Sequence, residues 1–259
     1  MNATSGDGHS SRTFAFNLTC LVFSLFSYAL SMLSLLYLMG FLSRTLVPKH
    51  IDSGEQGSWL AAAIIDLGLI SLFALQHSLM ARPTFKQRTQ IPPQIERAAY
   101  VLCSSLALIL LMAMWQPIAQ PLWSIESPLA RAVLAILYWL GWVIVLLATF
   151  LLSHFELFGI KQAIAGFSPL PHGTPVFSTP FFYKVVRHPL YLGFLIAFWS
   201  TPDMTAGHLL FAVACSIYIV IGTRLEEREL RSLFGATYER YQQTVSMLIP
   251  LPGKQRKQR

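Results

Sequence analysis

Residues 13–43 read TFAFNLTCLVFSLFSYALSMLSLLYLMGFLS, thirty-one positions without one Asp, Glu, Lys, Arg or His. A helix crossing the roughly 30 Å hydrocarbon core of a bilayer needs about 20 apolar residues, so this run is long enough to span. It is too long for a secretory signal and has no small-residue cleavage site within reach. With further apolar runs behind it, the expectation is a retained span. Ala132–Ser153 and Ala98–Ile125 give 22 and 28 uncharged residues, the second read as helix only ahead of Pro117. Trp59–Met80 is nearly as apolar, interrupted by Asp66 and His77. Four spans follow from length.

Leu190–Ser200 and Ala206–Gly222 are shorter pieces of 11 and 17 residues, separated by Thr201-Pro202-Asp203. At 1.5 Å per residue the first covers only about 16 Å and cannot cross alone. Together they read as a helical hairpin whose tip lies at or below the far interface, with the second arm nearly or fully spanning. Composition agrees: of 259 residues, 54% are apolar and 12% charged, against roughly 25% charged in a soluble domain. The mean hydropathy of +0.53 also excludes an intrinsically disordered chain.

The expected fold is an all-α polytopic membrane helical bundle. It has four full spans, a carboxy-terminal helical hairpin and an interfacial cytoplasmic helix. No linker, repeat or heptad divides the chain, so residues 1–259 are expected to form one domain. Within it, residues 1–150 form an amino-terminal bundle, and residues 151–259 carry the polar chemistry on a loop, the hairpin and an amphipathic tail.

Sixteen of the nineteen Lys and Arg residues fall at one end of these spans, leaving Arg44, Lys49 and Arg131 opposite. By the positive-inside rule both termini and the 82–97 and 154–189 loops face the cytoplasm, and the basic tail can rest on anionic headgroups of the bilayer. The net charge of +7 is thereby a topology signal. Basic or aromatic readout elements for nucleic acid are missing, so no nucleic-acid partner is expected. Cys20, Cys103 and Cys215 lie in apolar runs without C-x-x-C spacing, which implies neither a disulfide frame nor a metal site.

Residues 163–182 hold four prolines and two glycines, a density that reads as a structured loop with backbone groups free to bind something. The loop runs into Tyr183-Lys-Val-Val-Arg-His-Pro-Leu-Tyr-Leu-Gly193. Pro189 suits a first helical position and leaves Arg187 and His188 just ahead of a helix N-terminus, where an anion is favoured. Arg187 and His188 equally suit snorkelling to headgroups.

The second concentration is Arg224-Leu-Glu-Glu-Arg-Glu-Leu-Arg-Ser-Leu-Phe-Gly-Ala-Thr-Tyr-Glu-Arg-Tyr241. At 100° per residue Leu230, Leu233, Phe234, Tyr238 and Tyr241 share one helical face. Glu226 and Glu227 project within about 60° of its centre, and Arg228 points away. Carboxylates on a packed face need a cation. Either they pair with Arg187 or Arg224 as structure, or they hold a cationic ligand group. A ligand meeting both clusters carries a carboxylate and an amine. S-adenosylmethionine does, and adds an adenine suited to Tyr183, Tyr191 and the proline loop. No Gly-x-Gly-x-x-Gly follows a strand, which excludes a soluble Rossmann-type methyltransferase.

Arg187-His-Pro-Leu-Tyr-Leu-Gly193, with Glu226-Glu227-x-x-Leu230, Phe234-Gly235 and Tyr238-x-x-Tyr241, resembles the carboxy-terminal signature of the isoprenylcysteine carboxyl methyltransferase and phospholipid methyltransferase superfamily. Further matches are Val47-Pro-Lys-His-Ile-Asp-Ser-Gly54, Gln76-His-Ser-Leu-Met-Ala-Arg-Pro83, Glu96-Arg97 and His154-Phe-Glu-Leu-Phe-Gly-Ile-Lys-Gln162. With these the resemblance runs over most of the chain and narrows to one branch, the bacterial methanethiol S-methyltransferases. It implies an integral enzyme of the bacterial inner membrane that moves a methyl group from S-adenosylmethionine to a small thiol, methanethiol, giving dimethyl sulfide. It also implies cofactor contacts from Tyr183, His188, Pro189, Leu190, Tyr191 and Glu226, with backbone contacts around Val176 and Phe177. One departure is Pro180-Phe-Phe-Tyr183, where many relatives have a Gly before the Tyr.

In this reading the thiol must ionise, because thiolate is the nucleophile and an ordinary thiol has a pKa near 8.5. The candidate catalytic residues are His77 in the bundle and Arg187, Arg224 and Glu227 at its cytoplasmic mouth, with Asp66 and His154 as substrate contacts. Intramembrane ionisable groups are functional candidates by default. An interfacial, hydrogen-bonded His77 near Arg82 is the competing reading of that residue. Two rival functions fit the same residues: methylation of a prenylcysteine carboxylate or a phospholipid amine, and a haem-binding or transport protein using His77 and His154.

Overall fold

The computed structural model describes residues 5–167 and 177–250. In chain order the elements are α1 (Ser5–Ser43), α2 (Trp59–Ala81), α3 (Pro83–Thr89), α4 (Pro93–Met114), β1 (Pro121–Ser124), α5 (Pro128–Leu151), α6 (His154–Leu157) and α7 (Ile160–Ile164). A 3-10 turn (Phe181–Lys184), α8 (Pro189–Trp199), β2 (Asp203–Thr205), α9 (Ala206–Phe234) and α10 (Ala236–Thr244) follow. Thr13–Ser43 of α1, with α2, α4, α5 and α9, makes five helices long and apolar enough to cross a membrane. The chain is an all-α polytopic membrane bundle. The second hairpin arm, α9, has 29 residues, enough for a span, whereas α8 has 11.

Helix boundaries follow local chemistry. Prolines open α3, α4, α5 and α8, at a position where the missing N–H has no intrahelical partner to lose. Ser127 caps α5 by accepting from Ala130 N at 3.4 Å, and Thr205 caps α9 by accepting from His208 N at 3.2 Å; such caps satisfy otherwise orphaned amides.

The described residues group into two compact units. In the unit of residues 5–38, 71–114 and 153–167, Ser24, Ser27, Ser31 and Ser34 form a buried stripe on α1, small enough for close helix approach. Gly159 has φ +89°, and a Cβ there would lie 2.7 Å from Ala98 N, so α7 turns against α4 only with glycine. Arg97 Nε donates to Leu157 O at 2.7 Å, and the Asn17 amide donates to Gly166 O.

In the unit of residues 39–70, 115–152 and 177–250, α5 meets α8 at two glycines. A Cβ on Gly141 would lie 2.6 Å from Gly193 O, and one on Gly193 would lie 2.6 Å from Gly141 O. β1 and β2 pair antiparallel, with Pro121 opposite Thr205 and Ser124 opposite Asp203, which ties the chain after α4 to the hairpin tip. Arg131 clasps Asp203 bidentately at 2.9 and 2.7 Å, holding that carboxyl down at about 2. Arg44 pairs with Asp52 at 2.7 Å and donates to Asp203 O at 2.7 Å. Two of the three cations counted on the sparse side therefore lock the hairpin tip.

The single helical face expected to carry Leu230, Leu233, Phe234, Tyr238 and Tyr241 is divided between two helices. The fifth spanning helix runs on to Phe234, Gly235 breaks it at φ +52°, and α10 starts anew. The shared apolar face is lost accordingly: Leu233 is 61% exposed and Tyr238 1%.

Candidate functional site

Pro189 starts α8 and leaves Arg187 and His188 on the extended segment before it, while α9 carries Glu226 and Glu227 near its other end. The fold brings these four side chains into contact. Arg187 Nε meets Glu227 Oε1 at 2.6 Å and His188 Nε2 meets the same oxygen at 3.2 Å. His188 Nδ1 faces Glu226 Oε2 at 3.7 Å.

The two carboxylates differ in environment. Glu227 is buried, its Oε2 accepting from Gln242 Nε2 at 2.8 Å. Glu226 is 45% exposed at its side chain and receives a hydrogen bond from Tyr191; the Tyr191 ring lies 5.7 Å from that of His188. Arg187 has several partners as well. Besides Glu227, it donates through Nη1 to the carbonyls of Gln242 at 3.1 Å and of Val245.

The backbone ahead of α8 is fastened by the residues after α10. Arg187 N donates to Ser246 O at 2.9 Å and His188 N to Met247 O at 3.2 Å, and Val186 pairs with Ser246 as a parallel bridge. Tyr241 donates from its hydroxyl to Tyr183 O. Phe177 packs its ring against Phe234, Tyr238 and Tyr241 at 5.3 to 5.9 Å. Burial pushes the Tyr183 and Tyr238 hydroxyls well above the ordinary phenol range, and that of Tyr241 to about 12. All three stay protonated. Tyr238 Oη is buried with no hydrogen-bond partner among the described residues.

Arg224 lies exposed a turn before Glu227, and Val176 falls outside the described residues. Pro189 and Leu190 form the first turn of α8. Among the described residues no group of His, Cys, Asp and Glu could hold a metal ion.

Asp66 belongs to the same unit but to another place in it. It is fully buried, and its Oδ1 accepts from Gln116 N at 2.9 Å, behind a cavity of about 440 Å³ lined by Lys49, Glu55, Trp115 and Gln116 among others. Gly207 N donates to Ile118 O there, so this cavity lies at the α9 end about 30 Å, twenty residues, from Glu227.

His77 and His154 belong to the other unit. The His77 ring stacks on Phe73 at 5.4 Å, with the Tyr100 hydroxyl 2.6 Å from Nε2 and Ser104 Oγ 3.1 Å from Nδ1. His154 is buried with Tyr28 Oη at 3.0 Å from Nε2, and burial holds its pKa below the ordinary imidazole value. Sequence reasoning missed Gln242 and the Val245–Met247 segment. Only the buried charges of Arg187 and Glu227 signalled that further partners had to exist, because acceptor carbonyls leave no mark on residue identity.

No protein-family profile matches the chain, and no solved structure does. Curated relatives do. The chain is 52% identical over 252 residues, 96% of its length and 97% of the relative's, to a methanethiol S-methyltransferase of a Pseudomonas species. It is 54% identical over 215 residues, 81% and 82% of the two chains, to that of Pseudomonas deceptionensis. It is 47% identical over 235 residues, 90% of each, to methanethiol S-methyltransferase 2 of Bradyrhizobium diazoefficiens. Similarity at this level over nearly the whole of both partners makes the chain an enzyme and a member of the methanethiol S-methyltransferase family.

Proposed function

We propose that the protein transfers a methyl group from S-adenosylmethionine to methanethiol, releasing dimethyl sulfide and S-adenosylhomocysteine. The whole chain acts as one methyltransferase domain in the bacterial inner membrane, with both termini cytoplasmic. The observation that carries the reading is the match, end to end, to relatives named for this reaction, together with a half-open carboxylate set beside the start of α8.

The site's donor set fits the methyl donor. Its ammonium suits Glu226, which is exposed and held by Tyr191 and His188. Its carboxylate suits the first turn of α8, where the helix end is positive. The aromatic surface around Phe177, Tyr183 and Tyr241 suits a purine. When bound, S-adenosylmethionine supplies an electrophilic methyl on a sulfonium, and its loss to a thiolate turns two opposite charges into neutral products.

Arg187 and Glu227 neutralise each other and so serve as frame, holding His188 and Glu226 in place. A dry site favours charge-annihilating transfer, and alignment of the reactants supplies most of the remaining rate. Asp66, about 30 Å from Glu227 by the rise of α9, is too far from a methyl donor held at Glu226 to meet the thiol, and His154 is kept neutral by burial.

The test is purified protein in nanodiscs with S-adenosylmethionine, offered methanethiol, a prenylcysteine and phospholipid in competition. Methylated thiol in the headspace is the expected outcome. Methyl label confined to the prenylcysteine or the lipid overturns the assignment.

A further inference from the structure

Gln242 touches both members of the buried ion pair. Its side-chain amide donates to Glu227 Oε2 at 2.8 Å, and its backbone carbonyl accepts from Arg187 Nη1 at 3.1 Å. Glu227 Oε1 is left to Arg187 and His188 together, at 2.6 and 3.2 Å. The terminal torsion of a glutamate is broad and two-fold, so an ion pair alone leaves the plane of the carboxylate loosely set. A second donor on the far oxygen fixes it. With that plane fixed, His188 is aligned by Glu227 on one ring nitrogen and turns the other toward Glu226 at 3.7 Å, its ring beside Tyr191. An amide does this without adding charge to a pair that is already neutral.

We propose that Gln242 is a positioning residue for methyl-donor binding: it orients Glu227, and through Glu227 it orients His188 toward the open Glu226–Tyr191 face. This role rests on the functional reading given above. The charged and titratable groups that face Glu227 are Arg187 and His188 from the segment before α8, Glu226 on its own helix, and Tyr238 and Tyr241 from α10. A carboxylate at position 242 would join them as a second anion on Glu227. Two carboxylates sharing a site cannot both stay ionised without penalty, and one is pushed up in pKa.

The experiment is S-adenosylmethionine binding to wild type, Gln242→Glu and Gln242→Leu in nanodiscs, with dissociation constants read from about pH 6 to about pH 8, the window in which such a shared proton is exchanged. The Gln242→Glu variant is expected to bind about ten-fold more weakly at the alkaline end, a difference of about 1.4 kcal/mol, and to recover most of that loss at the acid end. Gln242→Leu, which can neither donate nor repel by charge, is expected to bind weakly throughout with no recovery. Wild-type affinity in both variants overturns the role. So does a Gln242→Glu defect that is flat with pH and tracks a lowered unfolding temperature, since that is loss of packing alone. A wild-type protein that binds the methyl donor and makes product while both variants match it sinks Gln242 only. A wild-type protein that neither binds nor methylates sinks the functional reading, and this role with it.

Discussion

Glu227 is enclosed by Arg187, His188 and Gln242, whereas Glu226 next to it is 45% exposed, so isosteric changes at the two positions should separate frame from ligand contact. Glu227→Gln leaves the Arg187 guanidinium buried without its counter-ion, and breaking such a pair costs about 3 to 5 kcal/mol; a clear fall in unfolding temperature is expected. Glu226→Gln should leave that temperature close to wild type and weaken S-adenosylmethionine binding about ten-fold or more, at least about 1.4 kcal/mol. The reverse pattern, with Glu226→Gln unfolding early and binding normally, would contradict the division of roles. Helical periodicity was enough to put both carboxylates near a packed face. It could not separate them, because 100° of rotation decides which one enters the Arg187 pocket, and that depends on where α8 lies.

At the scale of elements the hairpin was legible because 11 apolar residues are too short and 17 nearly long enough for a bilayer. The β1–β2 pair that closes its tip was not. Its register joins Pro121 to Thr205, over eighty residues apart, and strands of three or four residues carry too little alternation to be read. Nor was the end of α9, where charge suggested a new interfacial helix but the backbone continues to Gly235. The α5–α8 contact gives a sharp test. Gly193→Ala forces a Cβ to 2.6 Å from the Gly141 carbonyl, an overpacking that costs typically about 1 to 3 kcal/mol, so the unfolding temperature should drop. Gly222→Ala, in α9 with open space around its Cβ position, should hold or raise that temperature, since alanine is favoured over glycine in a helix by about 1 kcal/mol. Equal effects of the two changes would mean that α5 and α8 do not meet at these glycines.

For the whole molecule, apolar run length disclosed the membrane class and the relatives disclosed the family, while the one-sided placement of Lys and Arg carries the proposed topology. The proposed topology is open to a direct check. A fluorescent protein fused to the carboxy terminus should mature, and a periplasmic phosphatase fused there should stay inactive; the opposite pair of results would invert the bundle. Neither charge bias nor burial bears on which thiol is methylated, so the central claim needs its own measurement. Nanodisc-embedded protein is incubated with methanethiol and S-adenosylmethionine bearing a deuterated methyl group, and the headspace is analysed by mass spectrometry. The account predicts dimethyl sulfide with one fully deuterated methyl, formed in proportion to enzyme. Unlabelled dimethyl sulfide, or none while methanethiol remains and the methyl donor is consumed, would contradict it.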